Sequence, residues 1–323
     1  MLVPEQELGS GVSVASITTA YNAIRILPRH IEALMRQTRP LQEIVIVDNG
    51  STDGSAAMLA ERYPQVTVLP MARNLGAAGG WAEGLRYAAL EKGHDWVWTF
   101  DDDSVPGANA LEELLAGFAL IRPGLELGMM VPLPVNESTG MPYPPLLWDE
   151  GFVKPSAELL QRPLWFADLA ITSGSLVRSE AARRVGLPRP EFFMDFFDFE
   201  YCLRMRSQGF LIAVVRNCHF AHSIGDARKV RMLGRDYILA NYAPWREYYR
   251  ARNIIYSMWH LYPTSKTKRF AISRVLRQMF WAALFNQDRF KSVYRMLQGV
   301  SDGIRGKLGI RFLPGGAPVI KWR

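Results

Sequence analysis

The chain has 323 residues, 49% hydrophobic and 21% charged, which suits a globular protein of one or two domains and excludes a disordered or fibrous one. Its two cysteines, Cys202 and Cys218, exclude a disulfide scaffold and lack the spacing of a zinc site, so a reduced, cytoplasmic setting is expected. The net charge of +7 is uneven: residues 226–323 hold 20 Lys/Arg against 5 Asp/Glu, and residues 1–225 hold 18 against 26. That basic last third suggests a polyanionic partner, either anionic lipid headgroups or nucleic acid, or else a merely solvated basic face. The first ten residues have no apolar h-region, and no uncharged apolar stretch is long enough to span a bilayer.

Val12–Thr19 reads as a first strand, and Leu27–Gln37 has apolar residues at helical spacing with Pro28 in the first turn. Glu43–Val47 is a second strand, followed by turn residues Asp48–Gly54, a helix at Ser55–Tyr63 and a third strand at Val66–Leu69. Strand and helix alternating at this spacing predict parallel pairing in an open α/β sheet. Arg73–Trp81 is a glycine-rich loop leading into a helix; it permits either close approach to a ligand or a tight helix start.

Trp96–Phe100 reads as a buried fourth strand, and it ends in Asp101-Asp102-Asp103. Three adjacent carboxylates repel one another unless a cation sits among them, and such oxygen donors suit Mg2+ or Mn2+. In open α/β sheets ligands bind beyond the C-terminal strand ends. Tyr21, Asp48, Asn74 and the aspartates should therefore share one edge, as a phosphate-bearing nucleotide site would need.

Leu111–Ile121 is a helix, and Pro132–Pro163 reads as an irregular segment and a candidate flap. Thr172–Ser175 offers small residues for a sugar pocket or an ordinary turn. In Phe192–Arg204, acidic residues sit among aromatics. Asp198, beside Phe196, Phe197 and Phe199, is the candidate general base; Asp195 and Glu200 are the candidate acceptor contacts, with helix capping as the other use of these acids. Phe210–Val215 is another strand. Of the two histidines that follow, His222 is the candidate metal ligand and His219 the weaker one. The segment from Tyr248 on is helical, aromatic and basic, and Phe270–Leu297 looks like basic amphipathic helices suited to a membrane surface or to packing on the catalytic domain.

Thr18-Thr19-Ala20-Tyr21-Asn22, Val47–Gly54, Arg73–Gly76 and Asp101–Asp103 together resemble the inverting family 2 glycosyltransferases with a GT-A fold. Phe193–Arg204, His222–Gly225 and Tyr248–Asn253 are similar to their bacterial rhamnosyltransferase branch and to the related galactofuranosyltransferases. The resemblance implies a Rossmann-like α/β fold: a mixed, mainly parallel sheet flanked by helices over residues 1–225, then a basic, mainly helical region over 226–323. Asp48 would bind the pyrimidine near Thr18 and Tyr21, with Asn74 also on the nucleotide sugar. Asp101 and Asp103 would serve a Mn2+ or Mg2+, Asp102 the ribose or sugar, and His222 the metal. Asp198 would deprotonate the acceptor hydroxyl.

The function implied is transfer of L-rhamnose from dTDP-rhamnose to a lipid-linked or cell-surface polysaccharide acceptor, at the inner face of the cell membrane. UDP-galactofuranose is the second donor; Phe197-Asp198, where galactofuranosyltransferases tend to have paired aspartates, favours rhamnose. A non-catalytic polyanion-binding module is the reading from another class. The acidic residues 1–225 oppose it, and no nucleic-acid partner is expected.

Overall fold

The computed structural model describes residues 11–136, 143–222, 226–232 and 235–314. They fall into two compact units: Met1–Trp148, Phe152–Arg189 and Asp198–Ser223 form the first, and Asp149–Gly151, Pro190–Phe197 and Ile224–Arg323 the second. Segment 190–197, placed with the first domain on sequence, thus groups with the C-terminal unit. No helix among the described residues is long and apolar enough to cross a membrane.

The first unit opens with β1 (Val14–Ala20), α1 (Leu27–Met35), β2 (Glu43–Asp48), α2 (Ser55–Arg62), β3 (Thr67–Pro70), α3 (Gly76–Leu85) and β4 (Trp96–Asp101). It continues with β5 (Val105–Pro106), α4 (Ala110–Phe118), β6 (Leu127–Asn136), β7 (Leu147–Trp148), β8 (Phe152–Val153), β9 (Leu164–Ala167) and β10 (Leu176–Arg178). α5 (Ser179–Val185), α6 (Phe197–Ser207) and β11 (Leu211–His222) complete it. Apart from the short β7–β8 hairpin, the strands form one mixed sheet in the order β3-β2-β1-β4-β10-β6-β11-β5, with β9 on β11. Strands β3, β2, β1 and β4 are parallel. This is the GT-A arrangement expected from the sequence.

The continuous Val/Ile run of β2 and the aromatics of β4 follow from burial on both faces of a parallel sheet. Trp96, Trp98 and Phe100 pack with Leu111 and Leu114 of α4 and with Met130 and Ala213 of the neighbouring strands. Register then aligns the strand ends, with Thr19 opposite Asp101 and Ala20 opposite Asp48. Because α3 lies close on β1, it needs glycine. A Cβ at Gly80 would stand 2.2 Å from Thr19 Cγ2, and one at Gly84 would stand 2.7 Å from Ile17 Cδ1. Gly80, in the 73–81 run, and Gly84 beyond it thus serve helix–sheet packing. The stretch read as irregular, 132–163, instead carries the end of β6, the β7–β8 hairpin and a short turn at Leu159–Gln161.

The second unit contains a hairpin of β12 (Asp226–Met232) and β13 (Arg235–Asn241), which a mainly helical reading did not include. Three helices follow: α7 (Pro244–Tyr256), α8 (Ser265–Phe285) and α9 (Arg289–Ile304). α8 starts on a Thr264–Thr267 capping box. α9 meets α7 backbone to backbone: a Cβ at Gly299 would overlap Tyr248 O, and one at Gly303 would be 2.7 Å from Arg252 O.

Candidate functional site

The loops after β1 and β2 are laced together at the C-terminal edge of the sheet. Asn22, at a positive φ of 52°, accepts the Thr52 N–H on its side chain and donates its own N–H to Ser51 Oγ. Ile24 N–H donates to Asp53 Oδ2, and Asp53 Oδ1 accepts from Ser55 at the start of α2. Gly50, at φ 76°, lets this loop touch the backbone of Arg73, where a Cβ would come within 2.9 Å. Asn49 donates to Asn74 Oδ1 and Gly76 O and accepts the Leu75 N–H. Asn74 Oδ1 also accepts the Gly76 N–H at 2.7 Å. The Asn74 carboxamide oxygen, expected on the nucleotide, is therefore a brace for this loop. Asp48, 5% exposed, ends β2 and accepts the Ser51 N–H.

Thr18, expected near the pyrimidine, has its hydroxyl engaged within the protein. It is fully buried, and its hydroxyl lies 2.7 Å from His30 Nε2. His30 Nδ1 lies 2.5 Å from Ser104 O, which can only accept. Nδ1 is therefore the N–H, and the neutral ring takes the Thr18 hydroxyl proton at Nε2. Burial pulls the His30 pKa down to about 4, against the Ser104 bond that raises it. The neutral ring ties α1 to β1 and to the turn after the acidic triplet; a lone histidine in α1 gave no signal of this. Between pH 6.5 and about 4 the unfolded chain takes up a proton that the fold refuses. The stabilisation from His30 is thus complete above pH 6.5 and fades as pH falls, by about 3 kcal/mol at most. Urea unfolding at pH 7 and pH 4.5 should show that loss in the wild type and a smaller one in His30→Gln; equal losses would count against it.

The acidic triplet begins at the end of β4. Asp101 donates its N–H to Ser173 Oγ, which also pairs with Ser104 Oγ at 2.6 Å. Asp102 Oδ2 accepts the Tyr21 N–H at 3.2 Å, joining two of the expected nucleotide-side residues. Burial, then the charges of Asp101 and Asp103, push the Asp102 pKa up to about 7. Tyr143, which the sequence reading passed over, has its phenol pKa raised by burial and then by the charges of Asp101 and Asp103. No three His, Cys, Asp or Glu side chains converge in a metal-holding group among the described residues. Side chains 219–222 lie outside the described residues, and so does the expected ligation by His222. Ser173 and Ser175 line a small cleft with Pro132 and Ile171. Their hydroxyls are held within the protein, however, with Ser175 donating to Ile171 O.

Asp198 lies in the first turn of α6, half-buried, with Oδ1 accepting the Phe199 N–H at 2.8 Å. Phe199 stacks edge-on with Phe152, and Phe152 with Trp148, giving an aromatic wall next to Asp198 in the chain. Glu200 is different. It is 1% exposed, and its oxygens take Arg189 Nε at 3.2 Å and Arg204 Nε and Nη2 at 3.0 and 3.1 Å. That pairing ties Glu200, expected as an acceptor contact, to Arg189 and to Arg204 of its own helix.

In the second unit, Asp195 forms a two-pronged ion pair with Arg246, at 2.9 and 3.0 Å. A carboxylate so engaged holds its loop. Arg252 and Asn253 of α7, quoted above only as part of a motif, hold the same loop through its carbonyls.

Residues 16–137 match the model of a family described as Glycosyl transferase family 2. A dTDP-rhamnosyl transferase, RfbF of Shigella flexneri, is 24% identical over 269 residues, 82% of this chain and 87% of the relative. Galactofuranosyltransferase GlfT1 of Mycobacterium tuberculosis is 27% identical over 250 residues, 75% of this chain and 80% of the relative. Among solved structures, GalNAc-T7 with UDP, GalNAc and Mn2+ superposes with a TM-score of 0.60 at 16% identity. It aligns with 92% of this chain, which spans 56% of the solved one.

Proposed function

We propose that the chain moves L-rhamnose from dTDP-rhamnose to a lipid-linked or cell-surface polysaccharide acceptor, with inversion, a reading supported by the match of residues 16–137 to the Glycosyl transferase family 2 model and by the GT-A fold. The observation that carries this reading is the shared strand-end edge, where register sets Asp48 and Asp101 beside β1 and Asp102 bonds Tyr21. Asp48 takes the pyrimidine and Tyr21 lies beside it. Asp102 takes the ribose or sugar, and Asp101 and Asp103, with His222, hold Mn2+ or Mg2+. Three consecutive carboxylates at a strand end are oxygen donors of the kind that suits Mn2+ or Mg2+. When bound, the ion neutralises charge on the leaving diphosphate. Asp198 accepts the proton of the acceptor hydroxyl as its oxygen forms the bond to the anomeric carbon and the sugar–diphosphate bond breaks. The basic second unit brings the chain to the inner face of the cell membrane, where a lipid-linked acceptor lies.

The similarity to RfbF and the Phe197-Asp198 pair support rhamnose; the similarity to GlfT1 supports UDP-galactofuranose as the second reading. Nucleotide release from the two donors, with Mn2+ or Mg2+, should favour dTDP-rhamnose. Preference for UDP-galactofuranose would install the second reading, and neither bound nor turned over would overturn both. Asp103→Ala should lose metal-dependent binding of the nucleotide diphosphate with the fold intact, because Asp103 is exposed and no core packing is lost. Calorimetry with and without Mn2+ reads this directly; unchanged metal dependence removes Asp103 from the site.

A further inference from the structure

The long helices of the second unit leave a broad apolar surface uncovered. On α8, Ala271, Val275 and Ala282 are buried, while Ile272, Leu276, Phe280 and Leu284 are exposed. Four-residue spacing makes these one row along the helix. On α9, Gly299 and Gly303 face α7, and Phe290, Tyr294 and Leu297 form a second exposed row. Leu276 is 60% exposed and Phe290 81%. The two helices pack on each other. Single exposed apolar residues need no explanation; two rows of large ones on paired helices mark a surface that meets something.

Charge says what it meets. Residues 265–304 hold 8 Lys/Arg against 2 Asp, and one of those, Asp302, is buried against Tyr248 and Arg311. Arg269 and Arg277 of α8 and Arg289 and Lys291 of α9 are exposed alongside the apolar rows. A second copy packed by two-fold symmetry would set this basic face against itself. An anionic bilayer suits both features, with the apolar rows entering the acyl boundary and the cations meeting phosphates.

We propose that α8 and α9 form a membrane-docking face that inserts the Leu276 and Phe290 rows into an anionic lipid surface. For its purpose this rests on the lipid-linked acceptor proposed above; its physics does not. Binding should then have two parts, one screened by salt and one not.

The test uses the full chain with phosphatidylglycerol and phosphatidylcholine vesicles at low and high salt, and nucleotide-diphosphate calorimetry in parallel. Wild type should favour the anionic vesicles and keep part of its binding at high salt. Phe290→Ser, at the most exposed position, should bind about tenfold more weakly, and the Leu276→Ser/Phe280→Ser/Phe290→Ser variant should lose the salt-resistant part. Nucleotide affinity should be the same in all three. If no variant binds nucleotide but vesicle capture still differs, the docking face stands and the donor reading falls. The proposal is overturned if the triple variant binds vesicles like wild type. It is equally overturned if wild type ignores vesicles and instead doubles in mass with concentration in a way the serines abolish.

Discussion

Asp198→Asn is expected to keep donor and metal binding and to lower transfer by a factor of order 10^2 or more, the usual contribution of a positioned base. The substitution preserves the size of the side chain and its acceptor toward the Phe199 N–H, so the first turn of α6 should survive. What disappears is a carboxylate able to take a proton. The base acts only as the acceptor hydroxyl is deprotonated, so the loss belongs in kcat and not in donor affinity. Neighbouring acids provide the contrast. Glu200→Gln weakens a buried cluster with Arg189 and Arg204 and should be read in the unfolding midpoint. Asp195→Asn weakens the two-pronged pair with Arg246 and should be milder in transfer than Asp198→Asn. Assays at saturating donor and acceptor decide the matter. Near-normal turnover by Asp198→Asn with Asp195→Asn inactive would move the base to Asp195.

The parallel half of the sheet was legible because its signals are local. Val/Ile runs, turn residues and helical spacing each lie within a few positions, and strand ends then share an edge by geometry alone. What a polar side chain does at that edge was less legible, because it depends on partners far along the chain. Thr18 looks available beside Tyr21, yet His30 takes its hydroxyl. Asn74 looks like a ligand residue, yet Asn49 and Gly76 use its oxygen. Glu200 could be either anchor or acceptor contact until Arg189 and Arg204 were seen to enclose it. Glycines mislead in the same way: Gly80 resembles a ligand cradle in sequence, and only the nearness of Thr19 shows that it is a helix-packing position. The hairpin β12–β13 escaped because β12 is rich in charge and the apolar Tyr237-Ile238-Leu239 run of β13 is short.

Arg252→Leu should destabilise the second unit by about 1–3 kcal/mol, the cost of leaving a buried acceptor without its donor. Arg252 is fully buried. Its Nη2 donates to Glu191 O and Phe192 O at 3.0 and 2.9 Å, its Nη1 to Gly309 O, and its Nε to Asn253 Oδ1. Tyr248 and Tyr249 flank the guanidinium, the nearer ring centroid 4.7 Å away. Asn253, oriented by that Nε, donates Nδ2 to Phe192 O, Met194 O and Asp195 O at 3.0, 2.7 and 2.8 Å. The loop so gripped contains three non-glycine residues at positive φ: Phe193 at 64°, Asp195 at 58° and Phe196 at 65°. Such conformations cost on the order of 1 kcal/mol or more each and persist only where surrounding bonds impose them. Leucine fills much of the volume but removes the Arg252 donors to Glu191 O, Phe192 O and Gly309 O, leaving Asn253 as the remaining side-chain grip on Phe192 O, so the loop should relax toward ordinary dihedrals. Arg252→Lys keeps the charge without the fork and should fall between the two. The loop runs directly into α6, whose second residue is Asp198. Any Arg252→Leu protein that remains folded should therefore turn over more slowly at unchanged donor affinity. Urea unfolding together with donor titration measures both; a wild-type midpoint for Arg252→Leu would mean that the loop holds its shape without the clamp.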